Sequence, residues 1–171
     1  MDRMFNLNDL TKAQRRIIEE KDKNELIFFE GMGKTTGIFT VACCYAEGNE
    51  NMNIAIVVNK IDPYFELINL AEEKYILDID AGADYIKITF LNTNSTIVLN
   101  KFDSNTIYTP DIERKPYGDI RFIYDFIYFD DISPNFINIE GFDNYEIYGK
   151  IEYLNQEVKQ KLLFIYTPPR Q

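Results

Sequence analysis

The chain has 171 residues, with 28 acidic against 18 basic side chains and a net charge of −10, which argues against broad attraction to nucleic acid while leaving a local basic groove open. It contains no histidine, so histidine metal sites and histidine acid–base pairs are excluded, and proton transfer falls to carboxylates, lysine or tyrosine. The length suits one domain with a single core, and neither a signal-peptide pattern nor a membrane-length apolar run is found, so an intracellular, soluble protein is expected.

Residues 1–10 read as an N-terminal arm. Thr11 to Lys21 reads as a helix with Thr11 at its N-cap and Gln14 three residues on, the spacing of a capping box. After a polar connection from Asp22 to Glu25, the apolar run Leu26 to Phe29 predicts a short strand buried on both faces. Gly31, Met32 and Gly33 then form a loop with little side-chain bulk, whose backbone N–H groups can converge on a phosphate at the start of the next helix. Lys34 supplies a point charge for terminal phosphates and Thr35 a hydroxyl for a phosphate-bound Mg²⁺. The stretch resembles the second half of a Walker A loop, with Phe28 where its first glycine belongs. Either the loop is shortened, or it begins differently and the strand ends later. The plainer alternative is a glycine turn between strand and helix with Lys34 merely exposed.

Thr35 to Ala46 is apolar nearly all round, as in a helix packed deep against a sheet, and carries Cys43 and Cys44 as small core residues of a reducing compartment. Ile54 to Val58 predicts a second buried strand. Asp62 and Pro63 open a further helix, with Asp62 as N-cap and Tyr64, Ile68, Ala71 and Tyr75 on one face. Asp78, Asp80 and Asp84 around Gly82 lack the spacing of a calcium loop and read as a solvated turn. Tyr85 to Phe102 predicts a β-hairpin turning at Asn92 to Ser95, an excursion from the strand–helix alternation. Arg114, Lys115 and Arg121 read as solvated surface, with phosphate or DNA contact as the alternative.

Phe126 to Asp131 (FIYFDD) is a strand with two carboxylates at its C-terminal end, where open parallel sheets bind ligands. It resembles a Walker B motif. Asp130 would organise Mg²⁺ and Asp131 would position the attacking water, on an arm one methylene shorter than the usual glutamate. Beyond a polar, aromatic stretch at 135–149, Ile151, Leu154 and Val158 share a helical face within Lys150 to Lys161. Leu162 to Tyr166 predicts a core strand stopped by Thr167, Pro168 and Pro169.

In this order LTKAQ, GMGKTT, IAIVV, the hairpin, FIYFDD and LLFIYTPP resemble the ATPase domain of the large terminase subunit, the viral DNA-packaging motor. The resemblance implies an α/β P-loop fold over residues 1–171, with a mainly parallel sheet flanked by helices. It implies ATP and Mg²⁺ as cofactors, with Gln14 reading the adenine edge as the sharper alternative to a capping box. Gly31, Met32, Gly33, Lys34, Thr35 and Thr36 would cradle phosphate, Thr35 and Asp130 would hold the metal, and Lys34 and Asp131 would be catalytic. Tyr166, Thr167 and Pro168 occupy the place of the family's coupling segment, with Thr167 as the sensor. Implied partners are double-stranded DNA, other packaging-motor subunits and further copies of the chain, in the host cytoplasm and away from membranes. The chain stops just after the coupling segment, so the family's nuclease domain and the rest of its ATPase domain are expected to be missing.

The first domain of a superfamily-2 helicase is the nearest competing family. Three functional classes stay open: an ATP-hydrolysing packaging motor domain, a nucleotide-binding module with little turnover, and an acidic interaction protein on a P-loop fold. Arg121 and Arg170 are the arginine-finger candidates.

Overall fold

The alternation of short apolar runs with helical patterns is realised around a central strand, Asn53–Val58, in a computed structural model that describes residues 5–21, 23, 25–101, 124–132 and 162–168. In chain order the strands are β1 (Glu25–Ile27), β2 (Asn53–Val58), β3 (Leu77–Ala81), β4 (Tyr85–Phe90), β5 (Ser95–Lys101), β6 (Phe126–Asp130) and β7 (Leu162–Tyr166). The helices are α1 (Lys12–Glu19), α2 (Lys34–Gly48) and α3 (Phe65–Lys74). Among the described residues the strands form one sheet in the order β1-β7-β6-β2-β5-β4-β3. Pairing is parallel from β1 through to β5, and β4 alone runs against its two neighbours. The chain is thus α/β with a mostly parallel sheet, as the sequence predicts.

A helix buried on most sides needs apolar residues around most of its surface, and α2 has them: residues 37–43 and Ala46 are all buried. It packs between α1 and α3 and over β2, β5 and β6. Ile38 and Phe39 join Ile54, Ile56, Ile97, Leu99, Tyr128 and Ile165 in one core. The alternate strand positions, among them Val57, Val98, Phe129 and Phe164, are buried as well, and the last two rings stack at 4.1 Å. The continuous apolar runs of β2 and β6 follow from this two-sided burial. The N-terminal arm contributes to the core through Phe5, whose ring meets Phe39 edge-on at 5.6 Å.

Three expectations are corrected. β1 is an edge strand with alternating burial, and Ile27 and Phe29 are exposed, so the run Leu26 to Phe29 is not buried on both faces. Asp62 is not an N-cap: Ile61 precedes a short 3-10 turn at Asp62–Tyr64, neither that turn nor α3 has a side-chain cap, and Pro63 sets the bend. Asp78 and Asp80 sit on β3, not in a turn, where period-2 spacing turns both carboxylates to solvent while the backbone pairs with β4. The hairpin β4–β5 interrupts the strand–helix alternation as expected, and it does so within the same sheet, since β5 pairs in parallel with β2. Cys43 is buried, and Cys44 lends its Sγ to the Phe5 carbonyl. The basic residues Arg114, Lys115 and Arg121, the helix at 150–161 and Arg170 lie outside the described residues.

Because Ile56 is fully buried in the middle of β2, between Leu99 and Tyr128, Ile56→Ala is expected to lower unfolding free energy by about 2–5 kcal/mol. Urea denaturation checks this beside Asp80→Ser on the exposed edge, which should stay within about 0.5 kcal/mol of the parent.

Candidate functional site

The sheet order places the C-terminal ends of β1, β7 and β6 side by side. Ile27 pairs with Tyr166, and Ile165 pairs with Asp130, so the residues that follow each strand emerge at one edge. Phe28 prolongs the β1 ladder by donating its N–H to the Tyr166 carbonyl at 2.9 Å. Its ring is fully buried, with the Arg16 guanidinium 5.1 Å from the ring centre. Phe28 is thus a core anchor between the end of β1 and the glycine loop.

Gly31 and Gly33 adopt φ of +79° and +73°, a region that side chains disfavour. Gly33 is the N-cap of α2, and no side chain caps that helix, which leaves its first-turn N–H groups available to an anion. Gln14 stands behind the loop. Its Oε1 accepts from the Thr11 N–H at 3.0 Å, its own N–H donates to Thr11 Oγ1 at 3.1 Å, and its Nε2 donates to the Gly33 carbonyl at 2.9 Å. The capping box is therefore formed, and the same side chain braces the loop. A Cβ at Gly33 would lie 2.5 Å from Gln14 Nε2, so a side chain there would displace the Gln14 amide as well as strain the backbone.

In front of the loop lies a cleft of about 940 Å³ lined by residues 29–36 with Asp131, Thr167 and Pro168. Of the residues singled out in the sequence, Gly31, Met32, Gly33, Lys34, Thr35, Thr36, Asp131 and Thr167 meet here; neither Gln14 nor Asp130 lines it. Lys34 Nζ donates to Asp131 Oδ1 at 2.7 Å and to Thr167 Oγ1 at 3.2 Å, and the Thr167 N–H donates to the same Asp131 oxygen at 3.2 Å. Asp131 takes a φ of +61°, with its N–H on the Ile165 carbonyl and its own carbonyl held by Asn59 Nδ2 at 2.9 Å.

Asp130 is the buried carboxylate. Its Oδ2 accepts from Thr35 Oγ1 at 2.9 Å and from the Tyr64 hydroxyl at 2.5 Å, whereas Oδ1 is buried with no hydrogen-bond partner among the described residues. Burial raises the Asp130 pKa above the ordinary 3.8, against the lowering effect of the Tyr64 and Thr35 hydroxyls. Burial likewise pushes the Tyr64 phenol well above its usual range, so it stays a neutral donor. An orphaned, buried carboxylate oxygen beside a threonine hydroxyl is an all-oxygen donor set suited to Mg²⁺ and its water shell.

Sequence reasoning missed Asn59 and Tyr64. Asn59 could have been suspected, because it follows the C-terminal end of a parallel strand. Tyr64 reads as one more aromatic on the apolar face of α3, and no local signal marks its hydroxyl.

No family model and no curated protein matches the sequence. In three dimensions the chain is similar to the ATPase domain of the Thermus phage P74-26 large terminase, with a TM-score of 0.57 and 14% identity, covering 94% of this chain and 66% of that one. A mutant of the same domain gives a TM-score of 0.56 at 13% identity, over 93% and 65%. The fold is that of a phage large-terminase ATPase domain. The chain spans 66% of the length of the first of these structures. At such identity the likeness concerns the fold alone, and it agrees with the resemblance carried by the short motifs. No helix among the described residues is long and apolar enough to cross a membrane.

Because its folded pKa lies above 3.8, Asp130 holds its proton to higher pH folded than unfolded. This group therefore costs nothing below 3.8 and withdraws stability as pH rises from there through its folded value. A side-chain carboxyl-carbon NMR titration of the nucleotide-free chain should give an Asp130 midpoint above 3.8, and a midpoint at or below it would contradict the burial argument.

Proposed function

We propose that this chain is the ATP-binding and ATP-hydrolysing module of a terminase-type DNA-packaging motor. The observation that carries the reading is the meeting, at one sheet edge, of a left-handed glycine loop, its lysine, a threonine hydroxyl on a buried aspartate, and a second aspartate facing the loop. Triphosphate would lie along Gly31 to Thr36, on the uncapped N-terminus of α2. Lys34 would exchange Asp131 for the terminal phosphates. The Thr35 hydroxyl would ligate Mg²⁺ and Asp130 would hold its water shell, the ion supplying charge neutralisation across the β- and γ-phosphates. Released from Lys34, Asp131 would accept a hydrogen bond from the attacking water and set it in line. Thr167, bonded to both Lys34 and Asp131, would register that exchange and pass it to the chain beyond β7.

Gln14 serves this site by holding the Gly33 carbonyl; reading an adenine edge would require its Nε2 to leave that bond. DNA and further motor subunits belong to the same proposal, supported by the terminase fold. A second reading, nucleotide binding with slow turnover, is favoured by Asp131 itself, whose arm is one methylene short of glutamate and is tied to Lys34.

Calorimetric titration with Mg²⁺ and a non-hydrolysable ATP analogue should show binding by the parent chain and a loss of at least about tenfold in affinity for Lys34→Ala, or ~1.4 kcal/mol. Asp131→Asn should keep binding and reduce turnover by about 100-fold, within the usual range for a lost positioning or proton-accepting group, while Asp131→Glu should raise turnover above the parent. Absence of binding by parent and Lys34→Ala alike, both folded by circular dichroism, would remove an autonomous nucleotide site.

A further inference from the structure

We infer that Tyr64 is a positioning residue for the metal side of this site: with Thr35 it commits one oxygen of Asp130 and leaves the other uncommitted for a phosphate-bound Mg²⁺ and its waters. This deepens the nucleotide-site reading and rests on it.

The argument begins with the cost of burying a carboxylate. Asp130 is 5% exposed, and a desolvated carboxylate needs donors or a cation. The nearby cation is engaged elsewhere, since Lys34 Nζ is on Asp131 and Thr167. Asp130 is instead held by two hydroxyls, both on Oδ2. Neutral donors steady the carboxylate without cancelling the charge that attracts a divalent ion. Had both oxygens been satisfied, the ion would have to compete with protein hydrogen bonds; Oδ1 has none.

Thr35 alone does not secure this arrangement. Its hydroxyl belongs to the phosphate loop and the first turn of α2, the part that nucleotide binding would rearrange when Lys34 changes partner. Tyr64 reaches Asp130 from a different element, the 3-10 turn after β2. There Pro63 precedes it, its N–H donates to the Ile61 carbonyl at 2.9 Å, and its ring packs edge-on against Phe39 at 5.8 Å. The ring is 1% exposed. One hydroxyl can thus follow the loop while the other holds Asp130 from the turn after β2.

A buried phenol needs a partner in any case, so a purely structural role must be separated from this one. The full chain is titrated with AMP-PNP, with and without Mg²⁺, as parent, Tyr64→Phe, Asp130→Asn and the double variant. The expected result is that Mg²⁺ strengthens binding by the parent, that Tyr64→Phe cuts this strengthening about tenfold while Mg²⁺-free affinity stays within about twofold, and that Tyr64→Phe adds nothing once Asp130 is Asn. A Tyr64→Phe effect that is equal with and without Mg²⁺, absent in both, or undiminished in the Asp130→Asn background overturns the inference and leaves the nucleotide site standing. A parent chain that binds no AMP-PNP removes the site and the inference together. Thermal melts accompany each titration; should Tyr64→Phe not fold, Phe39→Leu, which loosens the ring and keeps its hydroxyl, is expected to weaken the Mg²⁺ strengthening in the same direction, and no weakening counts against the inference.

Discussion

Parallel pairing of β1, β7 and β6 is the constraint on which the site depends. Parallel strands in register end at the same edge, so the loop after β1, the aspartates ending β6 and the threonine after β7 are neighbours despite lying about a hundred residues apart. The pairing is specified by what each strand buries. β6 and β7 sit inside the sheet and carry Phe129 and Phe164 face to face at 4.1 Å, whereas β1, at the edge, alternates exposed and buried side chains. Slipping β1 by one residue would turn Leu26 outward, and slipping β6 or β7 would part the stacked Phe129 and Phe164 rings and shift the carboxylates away from the loop.

Within that frame the two aspartates diverge because their surroundings differ. Asp130 closes a central strand, is buried, and is steadied by neutral hydroxyls. Asp131 leaves the strand in a left-handed conformation, is about half exposed, and meets a lysine. The Lys34–Asp131 pair is partly solvated, so it contributes on the order of 1 kcal/mol or less to stability. It is strong enough to organise the cleft and weak enough to yield to a more highly charged partner. The same lysine and aspartate both bond Thr167, which ties the loop to the end of β7.

The helical side of the fold was readable because its signals are local. The Thr11 and Gln14 spacing gives the capping box, and the apolar surface of α2 gives a deep helix. The apolar run of β2 gives a central strand. Reading failed where burial depends on sheet position. Leu26 to Phe29 is as apolar as an interior strand, yet β1 lies at the edge, and Ile27 and Phe29 stay exposed. The aspartates of β3 suggest a turn, yet an edge strand accepts charge on its solvated face, which also protects the edge from unwanted pairing.

The chemical inventory is legible from residue order alone: the two glycines, Lys34 and Thr35 ahead of an apolar helix, and Asp130 and Asp131 at the end of an apolar strand. Those follow from spacing, and spacing survives in one dimension. How that inventory is arranged depends on contacts between elements. Folding buries Phe28 as an anchor ahead of the glycine loop, sets Gln14 behind the loop, pairs Lys34 with Asp131, and brings the Tyr64 hydroxyl to Asp130. Each of these contacts joins separate elements of the chain, and a hydrogen bond between them exists only once the sheet order has fixed where their backbones lie.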